Sequence, residues 1–335
     1  MRLLKLVPDN TNIDFMRWRT IALVLSTLLT IAAVVLVGVR GLNLGVDFIG
    51  GQSIRVAFNE SPPLDQLRDR LQALDVGEAV IQESRGAALP GQAARPEILI
   101  RLPLPEGEEG AANRIATEVR GVIENNYPGA TVLSVDTVSR RVSGELFRSG
   151  SIAVALAMLG IALYIWFRFE WQFGVGALLT LAHDVAMTMG FFSLTRLEFN
   201  LNVVAAILTI VGYSLNDTVV IYDRIRENLR KFRKMDIVPL LNLSLNETLS
   251  RTIVTSLSIL MALLALLLIG PEVIFGLTAA IFVGIFVGTY SSIYVSSPVL
   301  VWARMTGDSF VPKGDTGTAE RVAKRAGEGG DGAKV

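Results

Sequence analysis

Residues 201–224 read LNVVAAILTIVGYSLNDTVVIYDR. The run is long enough to cross a bilayer as a helix, yet Asp217 lies inside its apolar part, with Ser214, Asn216 and Thr218 close by. A carboxylate at membrane depth costs about 2.5–3.5 kcal/mol on insertion scales, so it needs a partner, a proton or water. Asp217 is therefore the candidate functional centre. The alternative is a polar contact that only holds two helices together.

Five further apolar runs flank this one, giving six in all at about 20–39, 151–167, 173–193, 201–222, 252–270 and 274–299. Their lengths fit membrane-spanning helices; barrel strands would be shorter and alternating. The first run has no small-residue cleavage site after it, so it reads as an uncleaved helix. Basic residues cluster before the first run (Arg2, Lys5, Arg17, Arg19), between the fourth and fifth (Arg224 to Arg251) and after the sixth. The excess of lysine and arginine on one side places residues 1–19, a loop at 223–251 and a tail at 304–335 in the cytoplasm, with the 40–149 insert outside. The tail is rich in Gly, Lys and Glu, a composition that predicts disorder.

Composition excludes several classes of function. Of 335 residues, 51% are hydrophobic, too many for an ordinary soluble chain. Charge balances at 31 basic against 31 acidic, so nothing in the total points to nucleic acid. There is no cysteine and a single histidine, His183, which leaves no conventional zinc or haem ligand set. No cofactor is expected. No nucleophile–base set stands out beyond the membrane runs, so an enzyme is the least favoured reading.

The insert is large enough for its own core. Residues 52–58 and 97–102 alternate and read as strands; 64–74 and 108–126 carry apolar residues at helical spacing; 79–82 and 130–138 read as strands. The order is β-α-β-β-α-β, the ferredoxin-like split arrangement, with a loop at 84–95. The turn entering it, Gly45-Val-Asp-Phe-Ile-Gly-Gly51, holds Asp47, Gly50 and Gly51. It lacks the following helix and lysine of a phosphate loop and reads as a structural turn.

The other runs carry polar groups of their own. His183 and Asp184 sit mid-run in the third, where they could shuttle protons or simply satisfy each other. Arg251 opens the fifth, with Thr255 one turn on, on the same face. Counting along the fourth run, Asp217 lies about 10 Å inside the cytoplasmic end. Arg251 could reach inward to it or snorkel outward. The sixth run has small residues at 276, 280, 284, 288, 292 and 296, a stripe that admits another helix closely.

Four stretches together, SLNDTVVIYDRIREN (214–228), GVDFIGG (45–51), LAHDV (181–185) and TLSRTIVTS (248–256), resemble the SecD/SecF family of the resistance-nodulation-division superfamily, and within it the smaller subunit, SecF. The resemblance runs from about Phe15 to Arg304; Ile49 departs from the threonine usual in the family's turn. It implies a subunit of the bacterial cytoplasmic (inner) membrane acting late in Sec-dependent export. There, with SecD, it would use the proton-motive force to promote preprotein translocation and release. It implies that Asp217 carries the proton, that Arg251 and Thr255 are its partners, and that Asp47, Gly50 and Gly51 form the external turn motif. The partners implied are SecD as a heterodimer, the SecYEG translocon, YajC and YidC, an unfolded preprotein outside, and the lipid bilayer. Two other readings stand beside it: a half-size small-substrate exporter of the same superfamily, and a non-transporting scaffold. A carboxylate among hydroxyls also leaves sodium open as the driving ion.

Overall fold

The computed structural model describes residues 8, 11–74, 79–84, 95–104, 110–303 and 305. Most of the expected 84–95 loop, the first residues of the expected 108–126 helix and nearly all of the 304–335 tail lie outside these. Among the described residues, six helical segments are long and apolar enough to cross a membrane: Phe15–Arg40, Arg140–Arg168, Trp171–Thr195, Leu201–Lys231, Ile237–Ile269 and Phe275–Trp302. They bundle, and an α+β domain stands at one end between the first and second.

A 3₁₀ turn, Phe15–Trp18, leads into α1 (Arg19–Arg40). The turn docks at the far end of the bundle, where Asn242 and Asn246 side chains accept from the Met16 and Ile13 N–H groups at 2.9 Å. After α1 come β1 (Asn43–Leu44), the single turn α2 (Val46–Ile49), β2 (Gly51–Ala57), α3 (Leu64–Gln72), β3 (Val80–Ser84), β4 (Glu97–Leu102), α4 (Ala111–Asn126) and β5 (Thr131–Val138). The four longer strands form an antiparallel sheet in the order β3-β4-β2-β5, the ferredoxin-like topology expected from the sequence. Alternation decides which face is buried: Ile54 and Val56 of β2 and Ile98 and Ile100 of β4 pack on Leu67 and Leu71 of α3 and on Ile115, Val119 and Ile123 of α4, all at most 1% exposed.

The membrane part continues with α5 (Arg140–Arg168), α6 (Trp171–Thr195), β6 (Glu198–Phe199), α7 (Leu201–Lys231), α8 (Ile237–Ile269), α9 (Phe275–Tyr294) and α10 (Ser296–Trp302). The expected loop at 223–251 is mostly helix: α7 runs on to Lys231 and α8 begins at Ile237. Beyond the apolar stretch both helices remain amphipathic, so Ile225 and Leu229 of α7 bury against Leu240, Leu241 and Leu245 of α8. Arg224 of α7 reaches Glu247 of α8 at 2.7 Å, while Arg226 to Glu170 at 3.2 Å and Asp223 to Arg168 at 3.3 Å tie α7 to the turn between α5 and α6.

The sixth expected run is broken at Val295, whose φ of −110° departs from the helix. Pro298 follows and has no N–H to continue the hydrogen-bond ladder. The small-residue stripe of α9 faces α7, as a packing stripe should. A side chain at Gly284 would strike Ile210, and one at Gly288 would lie 3.4 Å from the Ser214 Cβ.

The root of the external domain is tied to the bundle. β1 pairs in parallel with β6, which bridges α6 and α7. Arg101 of β4, 6% exposed, donates to the Leu44 carbonyl and to Asn43 Oδ1, both at 2.7 Å. Asn43 Nδ2 in turn donates to the Arg196 carbonyl at 2.7 Å. Burial lowers the Arg101 guanidinium pKa from its ordinary value, although Glu198 nearby opposes the shift.

Candidate functional site

Asp217 sits on the inner face of α7 and is 5% exposed. Its two oxygens meet hydroxyls from two other helices. Thr252 of α8 donates to Oδ1 at 3.2 Å, and Ser292 of α9 donates to Oδ2 at 3.5 Å. One turn beyond Thr252, Ser256 accepts from the Tyr213 hydroxyl at 3.1 Å and from Thr289 Oγ1 at 2.8 Å. The carboxylate is thus the acceptor at the meeting point of α7, α8 and α9. It can be neutralised by a proton or relieved by a cation.

Arg251 makes no ion pair with Asp217 among the described residues; its side chain is exposed, one position away from Thr252. Thr255 is also exposed and donates back to the Arg251 and Thr252 carbonyls at 2.9 and 3.0 Å. Asn216 is exposed on the outer face of α7. The residues touching Asp217 are therefore Thr252 and Ser292. The sequence places Ser292 only in the packing stripe of the sixth run.

The other two intramembrane candidates form a second cluster with Ser214. His183 Nδ1 lies 2.9 Å from Asp184 Oδ1, and the Ser214 hydroxyl donates to Asp184 Oδ2 at 2.5 Å. Asp184 is fully buried and His183 is 6% exposed. The carboxylate stands between serine and histidine, so the Ser214 hydroxyl bonds Asp184 and not the imidazole, and this is not the order of a hydrolase triad.

The turn motif lies at the domain root. Asp47 Oδ2 accepts the Leu201 N–H at 2.9 Å, capping the first turn of α7 from outside. Gly50 and Gly51 adopt φ of +72° and +125°. A Cβ at Gly50 would lie 2.9 Å from the Arg140 backbone, and one at Gly51 2.6 Å from the Leu102 carbonyl oxygen. Positive φ and close approach both exclude larger residues here.

Residues 118–306 match the family model of the protein export membrane protein SecD/SecF C-terminal region, and residues 35–61 match the SecD/SecF GG motif. The protein translocase subunit SecF of Rickettsia rickettsii is 42% identical over 298 residues, covering 89% of this chain and 94% of its own. That of Rickettsia bellii is 41% identical, with 89% and 95% covered. Among solved structures, SecDF from Thermus thermophilus matches with a TM-score of 0.79 at 38% identity, covering 88% of this chain and 39% of that one. SecDF in a super-membrane-facing form matches with a TM-score of 0.65 at 37% identity, covering 98% and 41%. The chain therefore spans about two fifths of the SecDF chains, and nearly all of the separate SecF subunits. With the matched C-terminal region covering more than half of its length, the chain belongs to the SecD/SecF family of protein-export membrane proteins.

Proposed function

We propose that this chain is a SecF-type subunit of the Sec export machinery. It couples proton entry at Asp217 to movement of its external domain, which assists late preprotein translocation and release. One observation carries the coupling: the helix bearing the buried acid is the helix whose N-terminus is held by the external turn. Asp217 lies sixteen residues beyond Leu201, or about 24 Å along α7. A change of charge at Asp217 alters its attraction to the Thr252 and Ser292 hydroxyls and to Arg251, and any resulting shift of α7 is delivered to Asp47. At that depth the charged and the neutral acid favour different arrangements of their neighbours.

Arg251, Thr255 and Asn216 point away from the bundle at membrane depth. Polar groups there face protein or water and not lipid, so this surface is where a SecD partner fits. SecYEG contacts, YajC and YidC, the unfolded preprotein, the inner-membrane location and the cytoplasmic placement of both termini belong to the same proposal. The opposite ends of the bundle occupied by the α+β domain and by the N-terminal turn support that orientation.

The test is to collapse one gradient at a time. Membrane vesicles carrying the chain and its SecD partner should lose assisted preprotein export when the proton gradient is dissipated and keep it when only the sodium gradient is. The reverse result would make sodium the driving ion, and indifference to both would leave the scaffold reading.

A further inference from the structure

The geometry points to a binding site for the phosphate of an anionic lipid at the end of the bundle opposite the external domain, where α7 emerges beside the turn between α5 and α6. The site stands whether or not Asp217 carries the driving ion.

Charge is concentrated there by helical spacing. Asp223, Arg226, Glu227 and Arg230 fall three and four residues apart on α7, on one face beyond the apolar run, with Lys231 beside them. Together with Arg168, the last residue of α5, they line an open pocket of about 480 Å³. Four cations face two carboxylates in it, and both carboxylates are engaged. Glu227 pairs with Arg224, outside the pocket, at 2.6 Å. Asp223 pairs with Arg168 at 3.3 Å, with both side chains close to half exposed, so the pair is weak and open to exchange. Arg230 and Lys231 form no ion pair among the described residues; the Lys231 ammonium lies 5.0 Å from the Phe232 ring.

Two of the cations are fixed in place. Phe169 is buried, and its ring centre lies 5.2 Å from the Arg168 guanidinium carbon and 6.0 Å from that of Arg226. Arg226 also donates from Nη2 to Glu170 Oε1 at 3.2 Å and from Nη1 to the Arg168 carbonyl at 3.4 Å. Two guanidinium groups held on one ring are a concentration of like charge, which a bound anion offsets. Guanidinium groups also match phosphate oxygens in shape, and these two lose little freedom on binding because the ring already orders them.

The surroundings select a lipid phosphate over a soluble one. From Leu201, at the domain end, about twenty residues of α7 cross the hydrocarbon core, so Asp223 to Arg230 occupies the next 10 Å or so, at headgroup level. Trp166, Phe167 and Trp171 flank Arg168 and are each at least 64% exposed, as aromatic residues are at a membrane interface. Leu159 and Leu163 are exposed on α5 one and two turns before Phe167, an apolar track for acyl chains leading to the pocket. Basic pockets at the ends of membrane helices hold anionic headgroups in this way.

The test is native mass spectrometry of the full chain, purified with its SecD partner and titrated with phosphatidylglycerol or with zwitterionic phosphatidylcholine of the same acyl chains. Phosphatidylglycerol should bind, and phosphatidylcholine should not compete with it. Arg230→Gln combined with Lys231→Gln should weaken phosphatidylglycerol binding about thirty-fold, the scale of two lost cations at a membrane surface. Arg233→Gln combined with Lys234→Gln, the same change of charge just outside the pocket, should stay close to wild type. Asp223→Asn should bind more tightly, because the lipid phosphate then meets no competing carboxylate at Arg168. All five positions are exposed, so these substitutions leave the packing intact. Equal binding of the two lipids, an equal loss in the two double variants, or no gain in Asp223→Asn overturns the site. Displacement of phosphatidylglycerol by excess inorganic phosphate would assign the pocket to a solute and overturn the lipid reading.

Discussion

Asp47 caps the helix that carries Asp217: its carboxylate holds the Leu201 N–H at 2.9 Å across 154 residues of sequence. The external turn and the intramembrane acid thus share one rigid element. Asp47→Ala should cost about 1 kcal/mol of stability, as the loss of a helix cap does, and should lower preprotein export more than that cost explains. Asp47→Asn, which keeps an accepting oxygen, should recover most of both. Thermal melts and export rates on the same preparations separate the two effects; equal export by all three proteins would remove Asp47 from the coupling.

The two glycines of the turn make different demands from Gly41. Gly51→Ala puts a methyl 2.6 Å from the Leu102 carbonyl oxygen on a backbone with φ of +125°. Strain of about 1–3 kcal/mol is then joined by a clash with backbone that cannot move alone. Gly41→Ala, at φ +67° with open space around it, suffers strain only. Limited proteolysis of the external domain should show Gly51→Ala cut much faster than Gly41→Ala. Equal rates would mean that the sheet yields at Leu102.

Burial holds the Glu198 carboxyl above the usual carboxylate range, outweighing the nearby Arg101 and Arg55. The folded chain then binds this proton more tightly than the unfolded chain. Its contribution to stability is full below the ordinary carboxylate pKa and is lost as pH rises through the raised folded value. Glu198→Gln should abolish that loss. Melts of purified protein at several pH values from about 4 to 8 should show the variant gaining on wild type as pH rises. A constant difference across the range would count against it.

Asn216 is exposed at membrane depth, and the neighbouring Gly212 has open space around it. Because the chain has no cysteine, Asn216→Cys introduces a single reporter thiol. When the chain is coexpressed with SecD, a short thiol-reactive linker should join the two chains through this position. Free accessibility of that thiol to a lipid-soluble maleimide in the assembled complex would show that SecD does not cover it.

Much of this architecture is legible in the sequence, because hydropathy and alternation report burial. The strand Glu97–Leu102 and the helix beginning at Leu64 lie where the pattern places them. The extension of α7 and α8 beyond the bilayer is hidden from hydropathy, which sees only the lipid's thickness. It is written instead in the spacing of Ile221, Ile225 and Leu229 and of Leu241, Leu245 and Leu249. The two-residue β1–β6 pairing has too little sequence for any period to show. At the site, the sequence identifies Asp217 by its cost in lipid, whereas its contacts depend on helix rotation. One residue turns a helix by about 100°, enough to put Thr252 on the acid and leave neighbouring Arg251 exposed.

The central claim is that the charge at Asp217 drives the external domain. Its most direct measurement is preprotein export into inverted membrane vesicles, with and without an imposed proton gradient, for wild type and Asp217→Asn at matched abundance. The expected result is that the variant keeps the gradient-independent export and loses the increment the gradient adds. An Asp217→Asn protein that shows the same increment as wild type would contradict it.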